Sequence, residues 1–202
     1  MRNVIAISAL TAGLAGLTIA AVQPAANASG SSSETGNNCV VSVDGAGSVT
    51  CYNSFTKAIA DATGGHIMDA PADPAAATAD PRFNSRINAL GERADAKTAR
   101  AAVVLEIAYE DKDFNRGQPD NDIYVFKARR GCDRDNGVEH RNPDLPNSWN
   151  DRISSFNAYN ACQANHYQNN NYRGRSTGWF GSHGRLSRAN NMNDRASSIQ
   201  WR

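Results

Sequence analysis

A six-residue phrase occurs twice in this chain, as Asn150-Asp151-Arg152-Ile153-Ser154-Ser155 and as Asn193-Asp194-Arg195-Ala196-Ser197-Ser198, with five of its six positions identical. Asn, Asp and Ser in such density favour a turn, because their short side chains compete for nearby backbone groups. They also concentrate amide, carboxylate and hydroxyl oxygens, the donor type that a hard cation such as Ca²⁺ prefers. A strand-like run follows each copy: Phe156-Asn157-Ala158-Tyr159 after the first, Ile199-Gln200-Trp201 after the second. The copies lie 43 residues apart, room for one supersecondary unit each, so the chain reads as an internal repeat.

The repeat extends upstream. Tyr167-Gln168-Asn169-Asn170-Asn171-Tyr172-Arg173-Gly174 precedes the second hexapeptide, and Tyr109-Glu110-Asp111-Lys112-Asp113-Phe114-Asn115-Arg116-Gly117 precedes the first, with one extra residue before its glycine. Two aromatic residues flanking a polar loop that ends in Gly read as a folded hairpin, the rings packing over the turn and Gly supplying a positive φ. The unit is therefore strand, aromatic hairpin, strand, variable loop, hexapeptide, strand.

These residues resemble the βγ-crystallins, in particular their microbial calcium-binding members, whose Greek-key motif has an aromatic-x4-aromatic-x-Gly corner and whose calcium sites use an Asn/Asp-Asn/Asp-x-x-Ser/Thr-Ser signature. Both hexapeptides satisfy the signature; the second corner fits its pattern and the first departs by the inserted residue. The resemblance covers about residues 102–202 and implies a mainly β fold, a sandwich of two Greek keys at about 102–159 and 160–202. Within it, Val103, Leu105, Ile107 and Tyr109 alternate as a strand, residues 122–126 return after the corner, and 128–150 read as a long charged loop. In the second unit, strands are expected at about 162–167, 175–180 and 197–201. Crossing connections are expected to bury Phe126, Phe156, Ile199 and Trp201.

The resemblance also implies a ligand set. Each ion would draw on both hexapeptides, through the side chains of Asp151 and Asp194, the carbonyls of Arg152 and Arg195, and the hydroxyls of Ser154 and Ser197. Asn150, Asn193, Ser155 and Ser198 would hold the loops in shape through side chain to backbone hydrogen bonds. About two Ca²⁺ ions of modest affinity are expected, since each copy offers one Asp, and the guanidinium beside each third-position carbonyl opposes a cation.

Residues 1–28 have the layout of a secretory signal peptide: Arg2, an apolar Ala-rich run from Val4 to Val22, and Ala26-Asn27-Ala28 as a cleavage site. Ala and Gly dilute the run too much for a membrane anchor, so the expected location is extracellular, with no transmembrane segment after cleavage. Four cysteines, an even count without a Cys-x2-Cys spacing, then favour two disulfides. Pairing Cys39–Cys51 and Cys132–Cys162 closes each within one region.

Before the repeat, residues 29–69 open on a Gly/Ser/Asn lead-in and then suggest a hairpin, Val40–Val43 with Ser48–Cys51, plus a helix carrying Phe55, Ala58, Ile59 and Ala62. Residues 70–101 read as an Ala/Pro/Asp-rich and then charged linker interrupted by a short helix, which starts at Asp80-Pro81 and bears Phe83, Ile87 and Leu90 on one face. This region is a thin domain, a propeptide, or a segment packed against the repeat.

No catalytic signature is present: no Gly-x-Ser-x-Gly elbow, no His-Glu-x-x-His, no phosphate loop, and four scattered histidines, so no enzyme activity is expected. Net charge is +1, yet residues 152–202 hold seven Arg against one acid, Asp194. With Tyr172, Trp179 and Phe180 nearby, that basic stretch suits an anionic cell-wall glycan, an anionic lipid surface or an acidic protein. A nucleic-acid partner is not expected, and a monomer is. Two readings follow: a secreted calcium-binding structural or stress-related protein, or an interaction protein. For the latter, the chain also resembles secreted actinobacterial metalloproteinase inhibitors of βγ-crystallin-like fold, in fold, export and cysteine count and not in any reactive-site motif. That makes a secreted metalloprotease a candidate partner, beside an antimicrobial role at a cell wall.

Overall fold

Short β-branched runs on either side of a turn pair as an antiparallel hairpin, β1 (Asn38–Ser42) and β2 (Val49–Tyr52), with Cys39 opposite Cys51 and joined to it by a disulfide. The structure, a computed structural model, describes residues 36–45, 48–94, 102–118 and 122–202. The expected signal peptide, the flexible lead-in before residue 36 and the last part of the expected linker, 95–101, lie outside the described residues. Among the described residues, no helix is long and apolar enough to cross a membrane.

Three helices follow. In α1 (Phe55–Ala62), Ser54 caps the first turn and the four apolar residues at helical spacing are all buried. The segment read as linker is more ordered than its composition suggests. Asp73 caps a six-residue helix, α2 (Pro74–Ala79), accepting from the amide of Ala76 at 2.7 Å, and α3 runs from Pro81 to Ala94. Pro in the first turn of each helix leaves one fewer orphan amide; α3 starts at Pro81 as expected, whereas the Ala run that favours α2 was hidden by Pro/Asp punctuation. Phe83, Ile87 and Leu90 lie in the core. Asn160 anchors α3, accepting from the amide of Gly91 and donating to the carbonyl of Val104, 2.8 and 2.7 Å. A Cβ on Gly91 would stand 2.5 Å from the Asn160 amide oxygen, so only glycine permits this approach.

Among the described residues, the repeat forms eight strands. The first unit holds β3 (Val103–Tyr109), β4 (Ile123–Ala128), β5 (His140–Asn142) and β6 (Ser155–Ala158). The second holds β7 (Ala164–Asn169), β8 (Arg173–Ser176), β9 (Ser182–His183) and β10 (Ser198–Trp201). They build two sheets, β2-β1-β4-β3-β6-β9 and β5-β10-β7-β8. Each unit thus lends its third strand to the other: β5 pairs with β10, and β9 with β6. This exchange makes the two units a mainly β sandwich of interlocked Greek keys.

Sequence reading missed β5 and β9, placing both in loops. They are three and two residues long and polar, so no apolar alternation marks them. The second unit's strands also start elsewhere than expected: β7 begins at Ala164, because residues before it are turned by the positive φ of Asn160 and Ala161, and β8 ends at Ser176 ahead of Gly178 at φ +82. The N-terminal hairpin is no separate body. β1 lies parallel to β4, Asn38 opposite Ile123, and continues the larger sheet. Helices α1 and α3 also contact strands of the repeat.

All seven residues of β3 are buried, since α3 packs on this strand and the smaller sheet covers the other face. Between the sheets, Phe126 meets Trp201 at 4.9 Å between ring centroids and Phe156 meets His166 at 4.4 Å. Phe126, Phe156, Ile199 and Trp201 are fully buried, as expected. The core also encloses a polar group. Glu106, with no exposed surface, accepts from His166 Nε2 at 2.9 Å and from Trp201 Nε1 at 2.8 Å, joining the larger sheet to the smaller. Replacing Glu106 with Ala strands two buried donors; chemical denaturation is expected to show a loss of about 3–5 kcal/mol, with Glu106→Gln losing less because it keeps an acceptor.

Candidate metal centre

The strand exchange brings the two hexapeptides face to face. The amide of Asp151 donates to the carbonyl of Ala196 at 3.0 Å, and the amide of Asp194 to the carbonyl of Ile153 at 3.1 Å, the same bond made in both directions. Both aspartates hold a positive φ, +57° and +50°, which Asp tolerates better than most residues. Asn150 and Asn193 each donate to the carboxylate of the Asp that follows, at 3.0 and 2.6 Å. Their expected bonds to backbone are replaced by these, because the left-handed turn carries the Asp carboxylate back toward the preceding amide.

The sixth position of each copy fastens an aromatic corner. Ser155 donates to the carbonyl of Asp111 at 2.6 Å and accepts from the amide of Phe114 at 3.0 Å; Ser198 does the same with Asn169 and Tyr172, at 2.7 and 3.0 Å. Both serines are fully buried. The corner rings meet edge to face, Tyr109 with Phe114 at 5.5 Å and Tyr167 with Tyr172 at 5.9 Å. The residue inserted in the first corner is Asn115. It takes a third successive positive φ and is buried, and its side chain binds the amide of Asp111 and the carbonyl of Asp122, both at 2.9 Å. An Asn that satisfies two backbone groups makes the extra residue a stable variant of the turn.

Two open notches flank the paired hexapeptides. Asp151, Asn193 and Asp194 line both; Glu110, Asp111, Arg152 and Ser154 join them in one, and Gln168, Asn169, Arg195 and Ser197 in the other. Each notch takes the third and fifth positions from one copy, and the aspartates of both copies line it. In the first, the Ser154 hydroxyl donates to Asp194 Oδ1 at 2.7 Å; in the second, the Ser197 hydroxyl donates to the carbonyl of Gln168 at 2.9 Å. Sequence reasoning did not find Glu110 and Gln168, although both follow the first aromatic of their corner, a position the repeat itself marks.

The arginines at the third position differ. Arg152 lies 2.8 Å from Glu110 Oε1 and 2.7 Å from Asp122 Oδ2, with its guanidinium 5.1 Å from the Trp149 ring, whereas Arg195 is exposed. Two carboxylates thus offset the Arg152 charge that opposed a cation. Burial raises the Glu110 carboxyl, partly countered by Arg152. Outside the notches, Asp113 of the first corner grips Arg185 of the second unit, Oδ2 to Nη2 at 2.6 Å, and this hydrogen-bonded ion pair lowers the Asp113 carboxyl from its ordinary 3.8.

Two comparisons with known proteins return nothing: no family model matches the chain, and no curated protein does. Solved structures are similar to about half of it. A βγ-crystallin from an archaeon is 22% identical, over 48% of this chain and 95% of that one, with a TM-score of 0.32. A βγ-crystallin domain from Flavobacterium johnsoniae is 25% identical, over 48% and 93%, with a TM-score of 0.31.

Because the folded carboxyl of Asp113 titrates below the unfolded one, its contribution to stability is complete above the unfolded value and disappears as pH falls through the folded one. Asp113→Asn is expected to be less stable than the wild type at neutral pH and to converge with it in acid, a convergence that denaturation curves across pH 2–7 would detect, at about the range where carboxylates titrate.

Proposed function

We propose that this is an exported calcium-binding Greek-key protein whose ions lock its two keys together. The observation that carries the reading is the cross-pairing in the first notch, where a hydroxyl from one hexapeptide and a carboxylate from the other already stand 2.7 Å apart. One notch would use the Asp194 carboxylate, the Ser154 hydroxyl and the Arg152 carbonyl; the other the Asp151 carboxylate, the Ser197 hydroxyl and the Arg195 carbonyl. These are hard oxygen donors with one formal charge per set, which suits Ca²⁺ of modest affinity, about 10⁻⁵ to 10⁻³ M as in extracellular modules. The residues fit such an ion: Glu110 and Asp122 compensate Arg152, and both turns are fixed by the buried serines behind them.

At millimolar external calcium, such sites would add roughly 0.4–3 kcal/mol each to stability, a structural role rather than a signalling one. Two disulfides, Cys39–Cys51 and Cys132–Cys162, support the exported reading, since such bonds persist in oxidising compartments. Thermal unfolding of the mature chain in EDTA and in millimolar Ca²⁺ tests the proposal. A rise of several degrees (roughly 2–8 °C) is expected in wild type and a clearly smaller one in Asp151→Asn/Asp194→Asn. An equal rise in both proteins would show that the notches do not hold the ion.

A second reading concerns the basic face. Arg173 and Arg175 are exposed on the edge strand β8, Arg202 stacks 4.6 Å from the Trp179 ring, and Phe180 stands 37% exposed. Arginines beside exposed aromatic surface suit an anionic glycan. Retention on an acidic polysaccharide resin that declines as salt rises from 0.05 to 0.5 M, at about the concentrations where screening becomes short-ranged, is the expected result; salt-independent passage through the column rejects it.

A further inference from the structure

Outside the notches, the charged loop between β4 and β5 carries Asp133, Asp135 and Glu139, spaced as Asp-x-Asp-x-Gly-x-Glu. One carboxylate oxygen from each residue falls within 4.8 Å of the other two. Oxygens bound to a single Ca²⁺ at 2.3–2.6 Å lie at most about 5 Å apart, so the three already occupy the span of one coordination sphere.

The loop uses one oxygen of each carboxylate to hold its own shape. Asp133 Oδ1 accepts from the amide of Asp135 at 3.0 Å, Asp135 Oδ1 from the amide of Gly137 at 2.6 Å, and Glu139 Oε1 from the amide of Asp133 at 2.7 Å. The other oxygen of Glu139 makes the loop more than an acidic cluster. Its side chain is 8% exposed, and Oε2 is buried without a hydrogen-bond partner; the nearest cation, Arg130 Nη1, stands 3.9 Å away on a side chain that is 61% exposed. A buried carboxylate oxygen that lacks a donor needs a counter-charge, and an exposed arginine beyond hydrogen-bond range supplies little of it.

The loop is also held at both ends. Cys132 is tied to Cys162 by a disulfide and donates its amide to the Asn160 carbonyl at 2.9 Å, while the Glu139 amide donates to the Trp201 carbonyl at 2.9 Å. We propose that residues 133–139 bind a further divalent cation, Ca²⁺ by ligand type, through the carboxylates of Asp133, Asp135 and Glu139. The donors are all oxygen, which disfavours zinc, and Cys132 is committed to its disulfide. This site shares no residue with the two notches and does not depend on them.

Equilibrium dialysis of the full mature chain against radioactive Ca²⁺ tests it, with far-UV circular dichroism establishing that each variant is folded. Asp151→Asn/Asp194→Asn is expected to retain one ion, which a further Glu139→Gln removes. Asp135 is exposed, so Asp135→Asn should leave the fold intact. In the same background it is expected to weaken that ion by at least about tenfold, since affinity follows ligand charge. Should Glu139→Gln fail to fold, Asp135→Asn decides alone. The proposal is overturned if the folded double variant binds no Ca²⁺, or if its remaining ion is indifferent to Asp135→Asn and Glu139→Gln. Failure of the notch reading looks different: the double variant would then bind as many ions as the wild type.

Discussion

Two backbone hydrogen bonds hold the centre of this molecule, each from an aspartate amide of one hexapeptide to a carbonyl of the other. They form only because each Greek key gives its third strand away, so that neither key completes a sheet alone. Everything around the notches follows from that geometry. The left-handed aspartates place their carboxylates across the seam, the fifth serine of each copy lines a notch, and the sixth is drawn inward to fasten an aromatic corner. A phrase of six residues therefore serves two tasks at once, with donors lining the notches and clamps facing the core.

The two halves are related but not equal. Asn115 adds a residue to one corner and satisfies the backbone it displaces, and Arg152 is engaged by two acids where Arg195 stands free in solvent. The fifth-position serines differ too: one contacts the opposing carboxylate, the other a carbonyl of its own corner. Such asymmetry places more charged side chains around the first notch, with Glu110 and Asp122 beside Arg152, than around the second.

Much of this was legible in the sequence, for a physical reason. Both hexapeptides, both corners, the disulfide pairing and the buried Phe126, Phe156, Ile199 and Trp201 have local signatures in residue type and spacing. The strands β5 and β9 do not, because they are short, polar and placed by their partners rather than by their own pattern. Glu106 was also illegible: within an apolar strand it looks like a surface residue, and only the approach of His166 and Trp201 from the other sheet makes its burial tolerable. Within the expected linker α2 was not foreseen, because an Ala/Pro/Asp-rich composition does not separate a tether from a short capped helix.

The parallel pairing of β1 with β4 carries a consequence for assembly. Parallel neighbours cannot be joined by a tight turn, and here the connection includes three helices and the strand β3. On the side of the repeat the partner of Asn38 is Ile123, so the earliest described strand to leave the ribosome cannot dock there until β4 has been made. Its disulfide with the neighbouring strand lets the hairpin wait as a closed unit with its backbone half paired. Order of synthesis and order of docking thus run opposite to each other, the situation in which a long-range contact sets the pace of folding.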